Sequence, residues 1–309
     1  MEFMMDHFAD RLVSAIETKG TPICLGLDPR WEQLPESLRS EALRAHGNTP
    51  RARADAFLNF NRALLDAVAD LVPVCKPQVA FYEQYGADGW WALSETVRYA
   101  RAKGVLVISD AKRGDIGTTA EAYAEAHLTE SAGALNADAL TVNPFMGGDT
   151  LQPFLKAAAL GGRGVFALVK TSNPGSGDLQ DLMVGGQPLY QRVAMLVGAL
   201  GKAHVGARGF SAMGAVVGAT YPAQARQLRG LLPDTIFLVP GYGAQGGAAQ
   251  DVAPAFREDG LGAIVNSSRG LIFAYRDEAY RTTYGPAKFA DACRAATQAM
   301  ADELRKVLK

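Results

Sequence analysis

The chain has 309 residues, 48% hydrophobic and 20% charged, which fits two ordinary domains or one α/β barrel of about 250 residues with insertions. Its 31 lysines and arginines against 32 aspartates and glutamates leave a net charge of -1, without the basic surface of a nucleic-acid binder or of a protein drawn to an anionic membrane. Any anion bound here must be held locally. The cysteines Cys24, Cys75 and Cys293 are scattered, lack C-x-x-C spacing and read as buried thiols rather than as a disulfide or zinc framework.

Residues 6–19 read as an amphipathic helix. Glu2, Asp6 and Asp10 come early and no basic segment precedes an apolar stretch, so a secretory leader is not expected. No run approaches the roughly 18 uninterrupted apolar residues of a membrane span, and a cytoplasmic protein is the expectation. Eight apolar, β-branched runs follow, at 22–28, 72–82, 104–112, 139–145, 164–170, 214–220, 236–242 and 262–268. Between and after them, segments 53–71, 90–104, 120–128, 150–160, 188–202, 222–232, 249–259 and 286–308 carry apolar residues at helical spacing. Runs this continuously apolar suit parallel strands covered by helices outside and packed within. Eight βα units in series predict a single-domain (β/α)8 barrel. An open doubly wound sheet would carry a G-x-G-x-x-G turn after the first strand, where this chain has GLDPRW. Two connections are long, 29–50 and 171–188. Both belong at the C-terminal mouth, and the second, rich in Gly, Ser and Asn, reads as a candidate lid.

Charged residues at the ends of apolar strands are costly unless paired or functional. Asp110 and Lys112 lie two apart at the end of the third run, on one side of a strand, and Asp115 follows in the loop. In the second run Lys76 interrupts VPVCKPQVAFY, with Gln78 two residues on. Should Lys76, Asp110, Lys112 and Asp115 converge, each ammonium gains a carboxylate neighbour that keeps it protonated. Such a lysine donates protons and is a poor Schiff-base nucleophile. The other reading is a buried ion network that only orders the barrel mouth. The loops after strands seven and eight, GYGAQGG and SSRG, suit a phosphate, with Gln245 and Arg269 as donors and Gly270 contributing backbone. His7, His46, His127 and His204 are isolated, so no metal site and no cofactor are expected. The pair Trp90-Trp91 reads as outer-ring packing.

The segment DAKRGDIGTT (110–119) closely resembles the D-x-K-x-x-D-I-x-x-T signature of orotidine 5'-phosphate decarboxylases, and its Arg-Gly after the lysine is similar to the bacterial subgroup called type 2. GLDPR, KPQVAFYE, KTSNPG, VPGYGAQGG and NSSRGLIFA resemble that subgroup's segments in the same order, over about residues 10–300. The resemblance implies metal-free decarboxylation of orotidine 5'-monophosphate to uridine 5'-monophosphate. It implies that Lys112 protonates C6 of the pyrimidine, that Asp110 and Asp115 flank it, and that Lys76 completes the array. Asp28 would bind the ribose hydroxyls and Thr171 and Ser172 the polar edge of the pyrimidine, with Pro240 also among the substrate-binding positions. Gln78 stands where related sequences often carry Asn. The end of the signature implies a homodimer in which Asp115, Ile116 and Thr119 act in the partner's site. Three other functions share parts of this pattern: a magnesium-dependent sugar-phosphate enzyme on the same barrel, a Schiff-base aldolase, and a catalytically silent nucleotide-binding module.

Overall fold

In a computed structural model that describes residues 7–243 and 247–308, eight strands close on themselves. They are β1 (Ile23–Leu27), β2 (Val74–Pro77), β3 (Leu106–Arg113), β4 (Ala139–Val142), β5 (Gly164–Lys170), β6 (Ser211–Val217), β7 (Thr235–Val239) and β8 (Ala263–Ser267). Each pairs in parallel with its sequence neighbours, and β1 pairs with β8, giving the predicted (β/α)8 barrel.

Every strand sends at least one side chain into the barrel: Cys24, Val74, Ile108, Ala139, Phe166, Val216, Ile236 with Leu238, and Ile264. The helix Phe8–Lys19 closes the N-terminal end of this core with Phe8, Leu12 and Val13. Phe8 meets Phe166 edge-on at 5.9 Å. It fits because β5 begins with Gly164, where a Cβ would stand 2.2 Å from the Phe8 ring. Below the core, Asp138 accepts 2.9 Å bonds from Arg11, Arg163 and the Val107 N–H. With that end plugged, the C-terminal ends of the strands are left for chemistry.

Several element boundaries differ from the sequence reading. The run 72–82 yields only the four-residue β2, then the helical turn Ala80–Glu83; an apolar run alone does not separate strand from helix, and Pro77 offers the ladder no N–H. The sixth strand starts three residues before its run, at Ser211, because Ser-Ala-Met carries little β-branched signal. Run 139–145 stops as strand at Val142, ahead of Asn143-Pro144. Segment 249–259 holds only two short turns, Ala249–Val252 and Ala253–Ala255.

The 29–50 connection is largely helical, with a turn at Trp31–Gln33 and a helix at Glu36–His46. Thr49 then caps the helix Pro50–Val68, its hydroxyl accepting from the Ala52 N–H. Arg53 lies over Trp31, 4.6 Å from the ring centre, and ties the insertion to the helix Pro50–Val68, while Arg51 lies over Trp91 at 3.5 Å and joins that helix to the neighbouring outer helix. The 171–188 connection folds into the turn Pro174–Ser176, the helical turn Gly177–Gln180 and a two-stranded hairpin, Met183–Val184 with Gln187–Pro188. Gly185 and Gly186 supply the two positive φ angles such a hairpin turn requires. All three cysteines are buried, which pushes the Cys24 and Cys293 thiols up to about 12. Among the described residues no helix is long and apolar enough to cross a membrane.

Candidate active site

The end of β3 departs from regular pleating. Its register against β4 shifts between Ser109 and Arg113, and Lys112 takes a left-handed φ of 51°. The Thr141 hydroxyl on β4 holds this turn, accepting from the Lys112 N–H and donating to Asp110 Oδ1, both at 2.9 Å. Lys112 Nζ then comes back to Asp110 Oδ1 at 2.6 Å. On the other carboxylate oxygen, Lys76 Nζ donates at 2.6 Å and Gln78 Nε2 at 3.0 Å.

Asp110 is therefore a buried carboxylate saturated by four side-chain donors, two of them cations. Burial alone would raise its pKa, but the Lys76 and Lys112 ammonium groups outweigh that and hold it well below the usual carboxylate range. Burial likewise opposes the charge on Lys76, and the carboxylates of Asp110 and Asp28 overcome it, so its pKa lies above the ordinary lysine value. Lys76 is almost wholly enclosed, whereas the Lys112 side chain is 44% exposed and reaches open space.

Two adjoining cavities share Lys76, Asp110 and Pro240. One, of about 450 Å³, has an apolar floor of Leu168, Val216 and Leu238 and a polar wall of Thr171, Ser172 and Gln180; Lys112 opens into it. The other, of about 340 Å³, is lined by Asp28, Arg30, Gln78, Asn266, Ser268 and Arg269. In it, Asp28 Oδ1 and Asn266 Oδ1 are buried acceptors with no hydrogen-bond partner among the described residues, an unfavourable state that a ligand's hydroxyls would relieve. A larger groove of about 830 Å³, between Glu32–Arg39 and Tyr275–Ala287, is lined by none of these residues and by no strand residue.

The sequence candidates fall into three groups. Lys76, Gln78, Asp110, Lys112, Asp28, Thr171, Ser172, Pro240 and Arg269 line the two cavities, and Gly270 follows Arg269 in the turn Arg269–Ile272. Asp115, Ile116 and Thr119 line neither. The Asp115 carboxylate accepts from the Ile116 N–H at 2.8 Å, and Ile116 is 62% exposed. Gln245 lies outside the described residues. Thr171 lines the larger cavity with its own groups engaged inside the loop: its N–H donates to Gln180 Oε1, and its hydroxyl donates to Asn173 Oδ1 and accepts from Gln180 Nε2.

Asn266, Thr141 and Gln180 escaped the sequence reading. Asn266 was detectable, since it breaks the apolar run GAIVNSS as Lys76 breaks its own. Thr141 reads as an ordinary strand former, and Gln180 reaches the cavity only through the folding of its loop. Of the histidines, His127 is buried with Nδ1 2.9 Å from Ser109 Oγ; burial and, secondarily, Arg113 push its pKa down to about 4. Among the described residues no three His, Cys, Asp or Glu side chains are grouped to hold a metal ion.

A closed barrel with two lysines and a buried carboxylate gathered at its C-terminal strand ends defines the class, a (β/α)8-barrel enzyme. The family model described as "Orotidine 5'-phosphate decarboxylase / HUMPS family" matches residues 21–282, and the chain belongs to that family. It is 46% identical over 304 residues to the orotidine 5'-phosphate decarboxylase of Rhodopirellula baltica, covering 97% of this chain and 100% of that one. With the enzyme of the same name from Haloarcula marismortui it shares 47% identity over 276 residues, covering 89% of this chain and 90% of the relative. The solved structure of Leishmania donovani OMP decarboxylase superposes with a TM-score of 0.75 at 34% identity, covering 97% of this chain and 98% of that one.

Proposed function

We propose that this protein decarboxylates orotidine 5'-monophosphate to uridine 5'-monophosphate and carbon dioxide, with Lys112 as the proton donor to C6. The observation that carries the reading is the Lys112 ammonium, open to the larger cavity and held 2.6 Å from a carboxylate saturated by four donors. Loss of CO2 from C6 leaves a vinyl-type carbanion with little resonance relief. A fixed cation aimed at that carbon from a largely apolar pocket stabilises the developing charge far better than it would in water. The same ammonium then delivers the proton. Asp110, ionised and fully occupied, orients Lys112 and takes no proton itself. No metal enters this scheme.

The apolar floor of the larger cavity suits the pyrimidine. The unpartnered oxygens of Asp28 and Asn266 suit the ribose hydroxyls, and Arg269, with Gln245 and Gly270, suits the phosphate. Binding energy gathered at the phosphate, remote from C6, is best expressed in the transition state. We read the chain as one barrel domain to which the N-terminal helix and the 29–50 and 171–188 segments belong. The 171–188 segment forms one wall of the larger cavity. Three buried thiols suit a reducing compartment, and the cytoplasm is the proposed site of action.

The protein is further proposed to work as a homodimer in which Asp115, Ile116 and Thr119 complete the partner's site. Supporting this, the three residues line neither cavity of their own chain. They also lie near an exposed apolar face: Ile116, Phe145 and Met146 are 62%, 77% and 46% exposed. An absorbance assay with orotidylate in excess chelator tests the function. Wild type should turn over and Lys112→Ala should not, while the variant still binds uridine 5'-monophosphate by calorimetry. Undiminished turnover by the variant, or loss of wild-type activity to chelator, overturns the proposal.

A further inference from the structure

One buried cation beside the site has no part in that chemistry. Lys170, the last residue of β5, is 0% exposed. Its ammonium donates to Asp181 Oδ1 at 2.8 Å and to Ser176 Oγ at 3.2 Å. It also faces the rings of Tyr221 and Tyr190, at 4.7 and 5.7 Å from their centres. A lysine so enclosed has given up its hydration, and an apolar side chain of similar length would fill the space without that cost. Both of its polar partners come from the 171–188 segment.

That segment is fastened at a second point. Gln180, adjacent to Asp181, brackets Thr171: its Oε1 accepts from the Thr171 N–H at 2.9 Å and its Nε2 donates to Thr171 Oγ1 at 2.8 Å. Close approach at the base of the loop is possible because Gly218 follows β6. A Cβ there would stand 2.8–2.9 Å from atoms of Ser172, backbone included. Pulling Asp181 onto Lys170 therefore places Gln180 over Thr171, and Thr171, Ser172 and Gln180 together form the polar wall of the larger cavity.

We propose that Lys170 is a positioning residue for the decarboxylation: by drawing Ser176 and Asp181 onto the end of β5 it presets the Thr171–Ser172–Gln180 wall that meets the pyrimidine. The proposal rests on the reading of that cavity as the base subsite. It makes the 171–188 segment an anchored wall of that cavity. Lys170 itself lines neither cavity.

The test compares Lys170→Met, Asp181→Asn and Asp181→Glu with wild type, using two ligands that differ by the base. Calorimetry is run with uridine 5'-monophosphate and with ribose 5-phosphate, and orotidylate kinetics are measured alongside. A mis-set wall should weaken uridylate binding and raise the orotidylate KM by about tenfold in Lys170→Met and Asp181→Asn, since small misplacements at a site are expensive. Ribose 5-phosphate affinity should stay within about twofold of wild type. Asp181→Glu, which keeps the carboxylate, should recover most of the loss. Uridylate affinity unchanged in folded variants, or weakened in parallel with ribose 5-phosphate, overturns the proposal. If Lys170→Met does not fold, Asp181→Asn, altered on the exposed side of the pair, decides the matter alone. Failure of wild type to decarboxylate orotidylate would count against the function, whereas the base-dependent binding difference reports on Lys170 either way.

Discussion

Replacing Asp110 by Asn keeps the shape of the acceptor and removes the charge on which two lysines depend. Lys76 is 4% exposed and donates to that carboxylate at 2.6 Å. Breaking a buried pair from one side costs about 3–5 kcal/mol, because the remaining charge is left without compensation. The Lys112 pair is screened at 44% side-chain exposure and adds no more than about 1 kcal/mol. Asp110→Asn should therefore lose roughly 3–4 kcal/mol, with Asp28 tempering the loss. Lys76→Met should lose less, about 1–3 kcal/mol, since Gln78, Lys112 and Thr141 still serve the carboxylate. In the double variant neither member of the pair is left as an uncompensated charge, so the coupling energy should be about 2 kcal/mol. Urea unfolding of the four proteins at pH 7, analysed where they share one m-value, measures it. A coupling below about 0.5 kcal/mol would refute the claim that this pair is mutually dependent. The sign with pH follows from Asp110: its folded pKa is depressed, so its contribution is complete at neutrality. It is lost only as pH falls below the unfolded value of about 3.9 toward the lower folded one.

Arg269→Ala should lower kcat/KM by about 10- to 100-fold, the loss of a charge-assisted contact to phosphate, and an effect under about threefold contradicts that role. Mixing inactive Lys112→Ala with inactive Asp115→Asn should restore about a quarter of wild-type activity, because half of randomly formed dimers are mixed and each holds one intact shared site. No recovery after subunit exchange, with mixed dimers shown by native mass spectrometry, rules out the shared site. His127 governs a separate pH response: its folded pKa of about 4 lies below an unfolded value near 6.5, so the fold favours the neutral ring. Stability should fall as pH drops from 6.5 toward 4, by about 3 kcal/mol in total, and His127→Gln should flatten that slope in unfolding curves taken between pH 7 and 4.

The barrel was readable because parallel strands buried on both faces leave a simple mark, a short apolar β-branched run, and each of the eight runs overlaps a strand. The boundaries suffered where that mark is ambiguous. Val79–Phe81 looks like a strand and turns helical, while Ser211–Met213 looks like nothing and pairs with β5 and β7. Within the site, Lys76, Asp110 and Lys112 stood out as charges in apolar company. Thr141 could not, since its value lies in a hydroxyl aimed at Asp110 by the pairing of β3 with β4. Gln180 and Lys170 depend on a loop doubling back across ten residues, and no local pattern encodes that. The unpartnered oxygen of Asn266 is visible only when the surrounding partners can be counted.

The backbone of Lys112 is itself part of the site, with its φ of 51°. A left-handed backbone at a residue with a long side chain is uphill by about 1–2 kcal/mol, and here it persists under the grip of a neighbouring strand's hydroxyl. The aim of the amine thus begins in the peptide chain, before side-chain torsions and the Asp110 contact complete it. A designer who grafts these amino acids onto another scaffold with a straight third strand would reproduce the inventory and miss the trajectory. The twist has to be transplanted as well.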